Sequence, residues 1–292
     1  MPRITLGEHC PFSLDLTLEC GQVFRWQKSG EWWTGVVEKD LIRIRQKGRT
    51  LIWEGSTQER IRDYFGLDHD LGRIIESVDR DPVIHLAVAN STGLRLIHQP
   101  PWECLASYIC ATYANIPGIR RKIALICDTF GDEISSRKDF RLSTFPSADV
   151  LAESAPCDLL RCSLGYRAPY LCATAREIAA DPGWIRRIEA LDYPAARRDL
   201  MRLMGVGPKV ADCVLLFAFR KYEAFPVDVW IARIMQRYYG AGEKEGYEQM
   251  SRKGREYFGP CAGYAQEYLY SERERLLSSD PGVQVPSFQL AR

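Results

Sequence analysis

The chain has 292 residues, 46% of them hydrophobic and 26% charged, with a formal net charge of +1. That is enough apolar side chain for one large domain or two of ordinary size, and the lack of any low-complexity run excludes a disordered chain. No segment approaches ~18 uncharged apolar residues, which excludes a membrane-spanning helix, and the first ten residues lack the apolar run of a secretion signal, so a cytoplasmic location is expected.

From Gln22 to Glu54 the residues alternate and break like an antiparallel meander of four short strands, at 23–26, 31–37, 41–45 and 51–53, with turns at Ser29-Gly30 and Lys47-Gly48. One apolar face needs a cover, and helical spacing at 58–65 and 71–78 is expected to supply it; 79–89 holds another short helical stretch. After His98-Gln99-Pro100-Pro101 the pattern becomes helix after helix, each punctuated by Pro, Gly or a capping residue. Helices are expected near 102–113, 118–130, 147–153, 156–161, 168–180, 184–191, 194–203, 208–219, 228–239, 244–257 and 262–277. The predicted fold class is α+β: an N-terminal antiparallel sheet domain over 1–95, an all-helical domain over 96–278, and an extended tail over 279–292.

The ten cysteines lack the paired spacing of a disulfide scaffold and read as small buried hydrophobes. Cys157, Cys162 and Cys172 come nearest to a metal pattern, but no Cys-x-x-Cys pair and no nearby His accompany them, so no metal site is expected. Charge is unevenly spread. Between Arg161 and Arg237 there are 13 Lys and Arg against 8 Asp and Glu, an excess of five, and the rest of the chain sums to minus four. Such a segment suits a face that tracks phosphates, although solvated helix surfaces would give the same count.

Within it, Gly205-Val206-Gly207 separates two helical patterns. Two glycines around one apolar residue permit a turn tight enough to expose several backbone N–H groups, a nest that binds phosphate without reading sequence; an ordinary helix-helix turn is the alternative. Pro208 sits where a first helical residue belongs, so Lys209 falls in the first turn of the next helix. There the positive end of the macrodipole disfavours a charged amine and leaves more of the neutral form that a lysine nucleophile needs; a solvated side chain is the plainer reading. Cys213 lies at i+4 from Lys209, on the same helical face. Asp228 precedes an apolar periodic run, as an N-cap does, and a capping carboxylate that faces a pocket can also stabilise developing positive charge.

These residues resemble a known family. Gly-Val-Gly followed by Pro208-Lys209-Val210-Ala211-Asp212-Cys213 and then Pro226-Val227-Asp228-Val229 is similar to the helix-hairpin-helix DNA glycosylases, and specifically to the 8-oxoguanine DNA glycosylases. Three further stretches agree: Cys20-Gly21-Gln22-Val23-Phe24-Arg25-Trp26, Glu103 to Cys110, and Leu164 to Tyr170. The resemblance runs in order from about residue 12 to residue 277. It implies a TATA-binding-protein-like sheet packed on a helical glycosylase domain, with double-stranded DNA containing oxidised guanine as partner, a monomeric state, and no metal or redox cofactor beyond a monovalent cation at the hairpin. By the same resemblance Lys209 is the Schiff-base nucleophile and Asp228 the catalytic carboxylate. Gly21 offers the carbonyl that senses the N7 hydrogen of the lesion, Gln266 reads its Watson–Crick edge, and Tyr270 and Cys213 stack on its two faces.

Gly205, Val206 and Gly207 would hold phosphate, while Tyr113, Asn115, Tyr166 and Arg167 would face DNA, Tyr166 and Arg167 near the base opposite the lesion. The chain departs from the eukaryotic pattern at three places. Tyr113 replaces an asparagine that fills the vacated helix space, Gly118 an arginine that reads the opposite cytosine, and Trp230 a phosphate-contacting histidine. Weaker preference for opposite cytosine is therefore expected. The rivals are a monofunctional or alkylated-base glycosylase of the same superfamily, against which Lys209 argues, and a non-catalytic hairpin DNA-binding protein. An iron–sulfur member is not expected, since beyond Phe258 only Cys261 remains.

Overall fold

Alternation of apolar residues on short β-prone segments builds a five-stranded antiparallel sheet in the order β1-β5-β4-β3-β2. Its strands are β1 (Arg3–Thr5), β2 (Trp26–Ser29), β3 (Trp32–Val37), β4 (Asp40–Lys47) and β5 (Thr50–Glu54), with α1 (Leu14–Glu19) between the first two. Register places Trp33 opposite Ile44 and Ile44 opposite Trp53, and all three are buried on one face. The structure, a computed structural model, describes residues 1–137 and 140–278; the predicted tail at 279–292 lies outside the described residues.

Strand β1 joins as a fifth member by pairing Arg3–Thr5 with Thr50–Ile52. Three residues are too few to show alternation, and their partner is remote in sequence, so the four-strand reading missed it. Of the residues 23–26 expected as a strand, only Trp26 pairs.

Next come α2 (Gln58–Tyr64), α3 (Leu71–Val78) and α4 (Pro82–Asn90). The sheet is covered by α1 and α2 through Leu14, Leu18, Ile61 and Tyr64. Helix α3 was expected to share that cover, but its Leu71 and Val78 belong to the large core of the helical region instead, with Val83, Ile84 and Ala87 of α4. An amphipathic stripe says that a helix buries one face, not which partner buries it.

The helical region comprises α5 (Pro101–Ala111), α6 (Ile116–Phe130), α7 (Ala148–Glu153), α8 (Pro156–Arg161), α9 (Arg167–Ala179), α10 (Trp184–Ala190), α11 (Tyr193–Leu200), α12 (Pro208–Phe219), α13 (Val229–Tyr238), α14 (Tyr247–Phe258), α15 (Ala262–Ser271) and α16 (Arg273–Leu276). A small hairpin, β6 (Glu133–Arg137) with β7 (Phe140–Ser143), interrupts it and was not foreseen. The single helix expected over 262–277 breaks at Glu272 into α15 and α16. Side-chain caps mark many starts: Asn115 accepts from Gly118 N at 2.9 Å, Asp192 from Ala195 N at 2.8 Å and Asp228 from Ile231 N at 2.8 Å, each typically worth about 1 kcal/mol.

Helix α5 is buried almost all round. Cys104, Leu105, Tyr108 and Ile109 pack into the large core, and Ala106 and Cys110 into a smaller one with α6, α7, α8 and α9. It is thereby the post shared by both cores. Seven of the ten cysteines are buried and all ten are free thiols, as the sequence reading expected.

Candidate active site

Helices α11 and α12 form the predicted hairpin. Gly205 has φ +82°, and a Cβ there would come within 2.8 Å of Tyr170 Cβ, so the turn has room only for glycine. Val206 is buried and pins the turn to the core. Gly207 is the N-cap of α12 in extended conformation and Pro208 the first helical residue. With no capping side chain, the first-turn N–H groups of α12 have no intrahelical acceptor, the arrangement suited to an anion. Lys209 stands exposed in that turn, and Cys213, one turn on, is buried.

Asp228 ends the strap Ala224–Val227, whose members are buried, and caps α13 through its Oδ1. The capping alternative is thus real, and it coexists with proximity to the lysine helix. Burial pushes the Cys213 thiol up, the Lys209 ammonium acts to lower it, and the Asp228 carboxylate adds to the rise. Cys213 therefore senses both charges. Asp228 also bears on Tyr270, whose phenol is pushed up to about 12, chiefly by burial, and on Glu267.

The N-terminal region brings Gly21 to the same place. Gly21 has φ +104°, and a Cβ there would lie 2.9 Å from Ile116 Cδ1 and 3.6 Å from Tyr270 Cε1. Its neighbour Gln22 is 1% exposed and fixes this segment. Its Nε2 donates to Thr17 O at 3.0 Å and Arg95 O at 2.8 Å, and its Oε1 accepts from Ile97 N at 2.8 Å. Its carbonyl accepts from Gln99 Nε2 at 2.6 Å. Gln266 is buried and its Oε1 has no hydrogen-bond partner. A buried acceptor left unsatisfied is costly in a resting fold and suits a group that awaits a donor from a ligand. Arg273 stacks 4.2 Å from the Tyr270 ring centroid and donates to Tyr270 O at 2.8 Å, which braces that ring.

Two family models match the chain: the N-terminal domain of 8-oxoguanine DNA glycosylase over residues 4–105, and the HhH-GPD superfamily of base excision DNA repair proteins over residues 116–260. A probable N-glycosylase/DNA lyase of Methanothermobacter thermautotrophicus is 37% identical over 94% of this chain and 96% of its own. The chain belongs to the 8-oxoguanine DNA glycosylases of the HhH-GPD superfamily. The N-glycosylase/DNA lyase of Saccharomyces cerevisiae is 32% identical, covering 76% of this chain and 67% of its own. Among solved structures, the 8-oxoguanine glycosylase/lyase of Clostridium acetobutylicum, in complex with double-stranded DNA containing cytosine opposite 8-oxoguanine, superposes with a TM-score of 0.84 at 32% identity. It covers 90% of this chain and 92% of that one.

Within this glycosylase family frame, Tyr113 and Asn115 fall between the two matched regions. Asn115 is the N-cap of α6, and Tyr113 is 94% exposed at φ +49°. Arg167, expected near the opposite base, is 8% exposed. It donates to Thr112 O through Nε at 2.9 Å and through Nη2, to Leu164 O at 3.3 Å and to Tyr113 O at 3.5 Å. Its planar fork holds the turn that carries Tyr113, while the half-exposed Tyr166 ring stacks on it at 4.4 Å. Several cations of the basic segment are likewise engaged within the protein: Arg187, Arg197, Arg202 and Arg220 all pair with carboxylates.

Sequence reasoning did not single out Gln22, Ile116 or Glu267. Gln22 lies in a stretch that was quoted, so the signal was present. Glu267 had none, because a lone Glu beside Gln266 reads as surface. It is 3% exposed, and burial pushes its carboxyl up to about 7, offset in part by Cys20 and Arg273. A carboxyl raised in the fold costs nothing below its unfolded value, costs progressively more as pH rises through the folded value, and costs its full amount above. Glu267→Gln is therefore expected to be more stable than wild type at pH 8 by roughly 2–3 kcal/mol, with the gain vanishing near pH 4.5. Urea unfolding at several pH values checks this, and a gain independent of pH would refute the assignment.

Proposed function

We propose that this protein is a bifunctional base-excision enzyme that removes 8-oxoguanine from duplex DNA and then cleaves the strand at the resulting abasic site. What supports the reading is that the charges of Lys209 and Asp228 both bear on the Cys213 thiol, that Asp228 also bears on Tyr270, and that Tyr270 lies against Gly21. The nucleotide is flipped out of the stack, at a cost of a few kcal/mol, while the hairpin amides hold phosphate. The neutral Lys209 amine attacks C1′; the C1′–N9 bond breaks and the base leaves with its electron pair, taking a proton. Asp228 stabilises the positive charge that develops on the sugar and positions or deprotonates the lysine. The sugar ring opens to an imine with Lys209. Loss of a C2′ proton then expels the 3′ phosphate, which cuts the strand.

Gly21 O would accept the N7 hydrogen that the lesion has and guanine lacks, where guanine would set two acceptors against each other. Gln266, with its unsatisfied Oε1, would meet a donor on the Watson–Crick edge, and Tyr270 and Cys213 would enclose the ring. None of these steps calls on a metal or redox cofactor. Main-chain oxygens of the hairpin are the donors that a monovalent cation would use. The enzyme acts as a monomer in this reading.

Borohydride trapping on a duplex with one 8-oxoguanine tests the reading. A covalent adduct that requires both the lesion and Lys209 is expected; free-base release without an adduct would point to a monofunctional glycosylase. At the opposite strand, Tyr113 presents a ring and Gly118 no side chain, while Arg167 is spent on main-chain carbonyls. Single-turnover rates opposite cytosine and opposite adenine are therefore expected to differ by less than about tenfold, the value of one modest hydrogen bond. A hundredfold preference for cytosine would show that polar readers remain.

A further inference from the structure

Asp212 lies in the motif that carries Lys209, yet the chemistry above makes no use of it. Its side chain is completely buried on α12, three residues after Lys209. It takes three donors from two other helices. Tyr193 Oη and Arg197 Nε, on α11, reach Oδ1 at 2.7 Å each, and Tyr247 Oη, at the start of α14, reaches Oδ2 at 2.6 Å. One carboxylate thus ties both helices of the hairpin to α14.

The connection extends further. A hydroxyl has one proton and an ionised carboxylate can only accept, so Tyr247 must donate to Asp212 and keeps only lone pairs for other partners. Burial holds the Tyr247 phenol well above its ordinary value, so it retains that proton at working pH. Its oxygen accepts the Val227 N–H at 3.4 Å, and Val227 immediately precedes the Asp228 cap. The hydrogen bonds therefore run one way, from the strap that ends in Asp228, through Tyr247, to the helix whose first turn carries Lys209. Cys213 follows Asp212 directly on α12, so the network is anchored next to a residue proposed to meet the base. A buried charge of this kind often adds little net stability compared with apolar packing, and its best-attested use is to set register.

We propose that Tyr247 is a positioning residue which, through Asp212, sets where the Asp228 carboxylate stands relative to the Lys209 amine. The inference rests on the roles given to Lys209 and Asp228 above. Tyr247→Phe removes one oxygen and keeps the ring. Measured with enzyme in excess on an 8-oxoguanine duplex, it is expected to lower the single-turnover excision rate on the order of tenfold, with duplex Kd unchanged within about twofold. Because it acts through Asp228, the same change in an Asp228→Asn background is expected to cost no more than about twofold further.

Wild-type excision by Tyr247→Phe, a parallel loss of duplex affinity, or a full further tenfold loss in the double variant would each overturn the inference. Thermal unfolding of every variant is recorded alongside. Should Tyr247→Phe not fold, Asp212→Asn is put through the same cycle with the same expected and overturning results. Excision at the wild-type rate by Asp228→Asn alone would instead fail the underlying reading and the inference with it, whereas multiplicative losses fail the inference alone.

Discussion

Lys209→Gln is expected to abolish base release and strand cleavage together, with a rate loss on the order of 10⁴-fold or more, as for removal of other covalent nucleophiles. The magnitude follows from the proposed covalent step: glutamine has no amine to form the imine, so neither bond breakage can proceed by that route. The fold should be nearly indifferent. Lys209 is exposed in the first turn of α12, glutamine has a similar helix propensity, and exposed substitutions usually move stability by within about 0.5 kcal/mol. Duplex affinity should fall by less than about tenfold, since one cation among many phosphate neighbours is lost. Quench-flow base release, borohydride trapping and a binding isotherm on the same preparation check the three parts. Wild-type base release by the variant would remove Lys209 from the nucleophile role.

Asp228→Asn carries the second large effect, and it separates two roles held by one side chain. The carboxylate caps α13 by accepting from Ile231 N, and asparagine caps about as well as aspartate, so the helix start should survive. Charge is what the substitution deletes. Excision is expected to slow on the order of 10²- to 10³-fold, the usual cost of losing one preorganised electrostatic partner of the transition state. Stability should fall by at most about 1 kcal/mol through the lost interaction with the helix dipole. Asp228→Ala would lose the cap as well and add about 1 kcal/mol of destabilisation without a comparable further loss of rate. An Asp228→Asn protein that unfolds while Lys209→Gln does not would assign the residue to capping alone.

Much of the proposed constellation was legible because its signals are local. Pro208 and Gly207 mark the start of α12 within a single turn, which places Lys209 without any knowledge of tertiary contacts. Asp228 announces itself as a cap in the same way. The i and i+4 spacing of Gln266 and Tyr270 puts both on one face of α15, where Gln266 is buried and Tyr270 half-buried. The resemblance added the roles, which neither spacing nor propensity could supply. It also placed Arg167 near the opposite base, and the structure adds that its fork holds the Thr112–Tyr113 turn. A residue type and its position in a motif do not reveal which carbonyls a guanidinium meets.

Taken alone, the sequence determined most of the helices, four strands of the main sheet, the α+β order of sheet before helices, the helical hairpin, and the placement of Lys209 and Asp228 at helix starts. Propensity, periodicity and capping act within about four residues, so each of these could be read where it stands. Only the tertiary structure decided that α1 and α2 rather than α3 and α4 cover the sheet, and that Gly21 meets Ile116 and Tyr270. It also decided that Glu267 is buried with a raised carboxyl, and that Asp212 and Tyr247 join the lysine helix to the aspartate strap. Those outcomes depend on which faces pack together and on how much water each packed pair excludes, and neither quantity has a local signature in the chain.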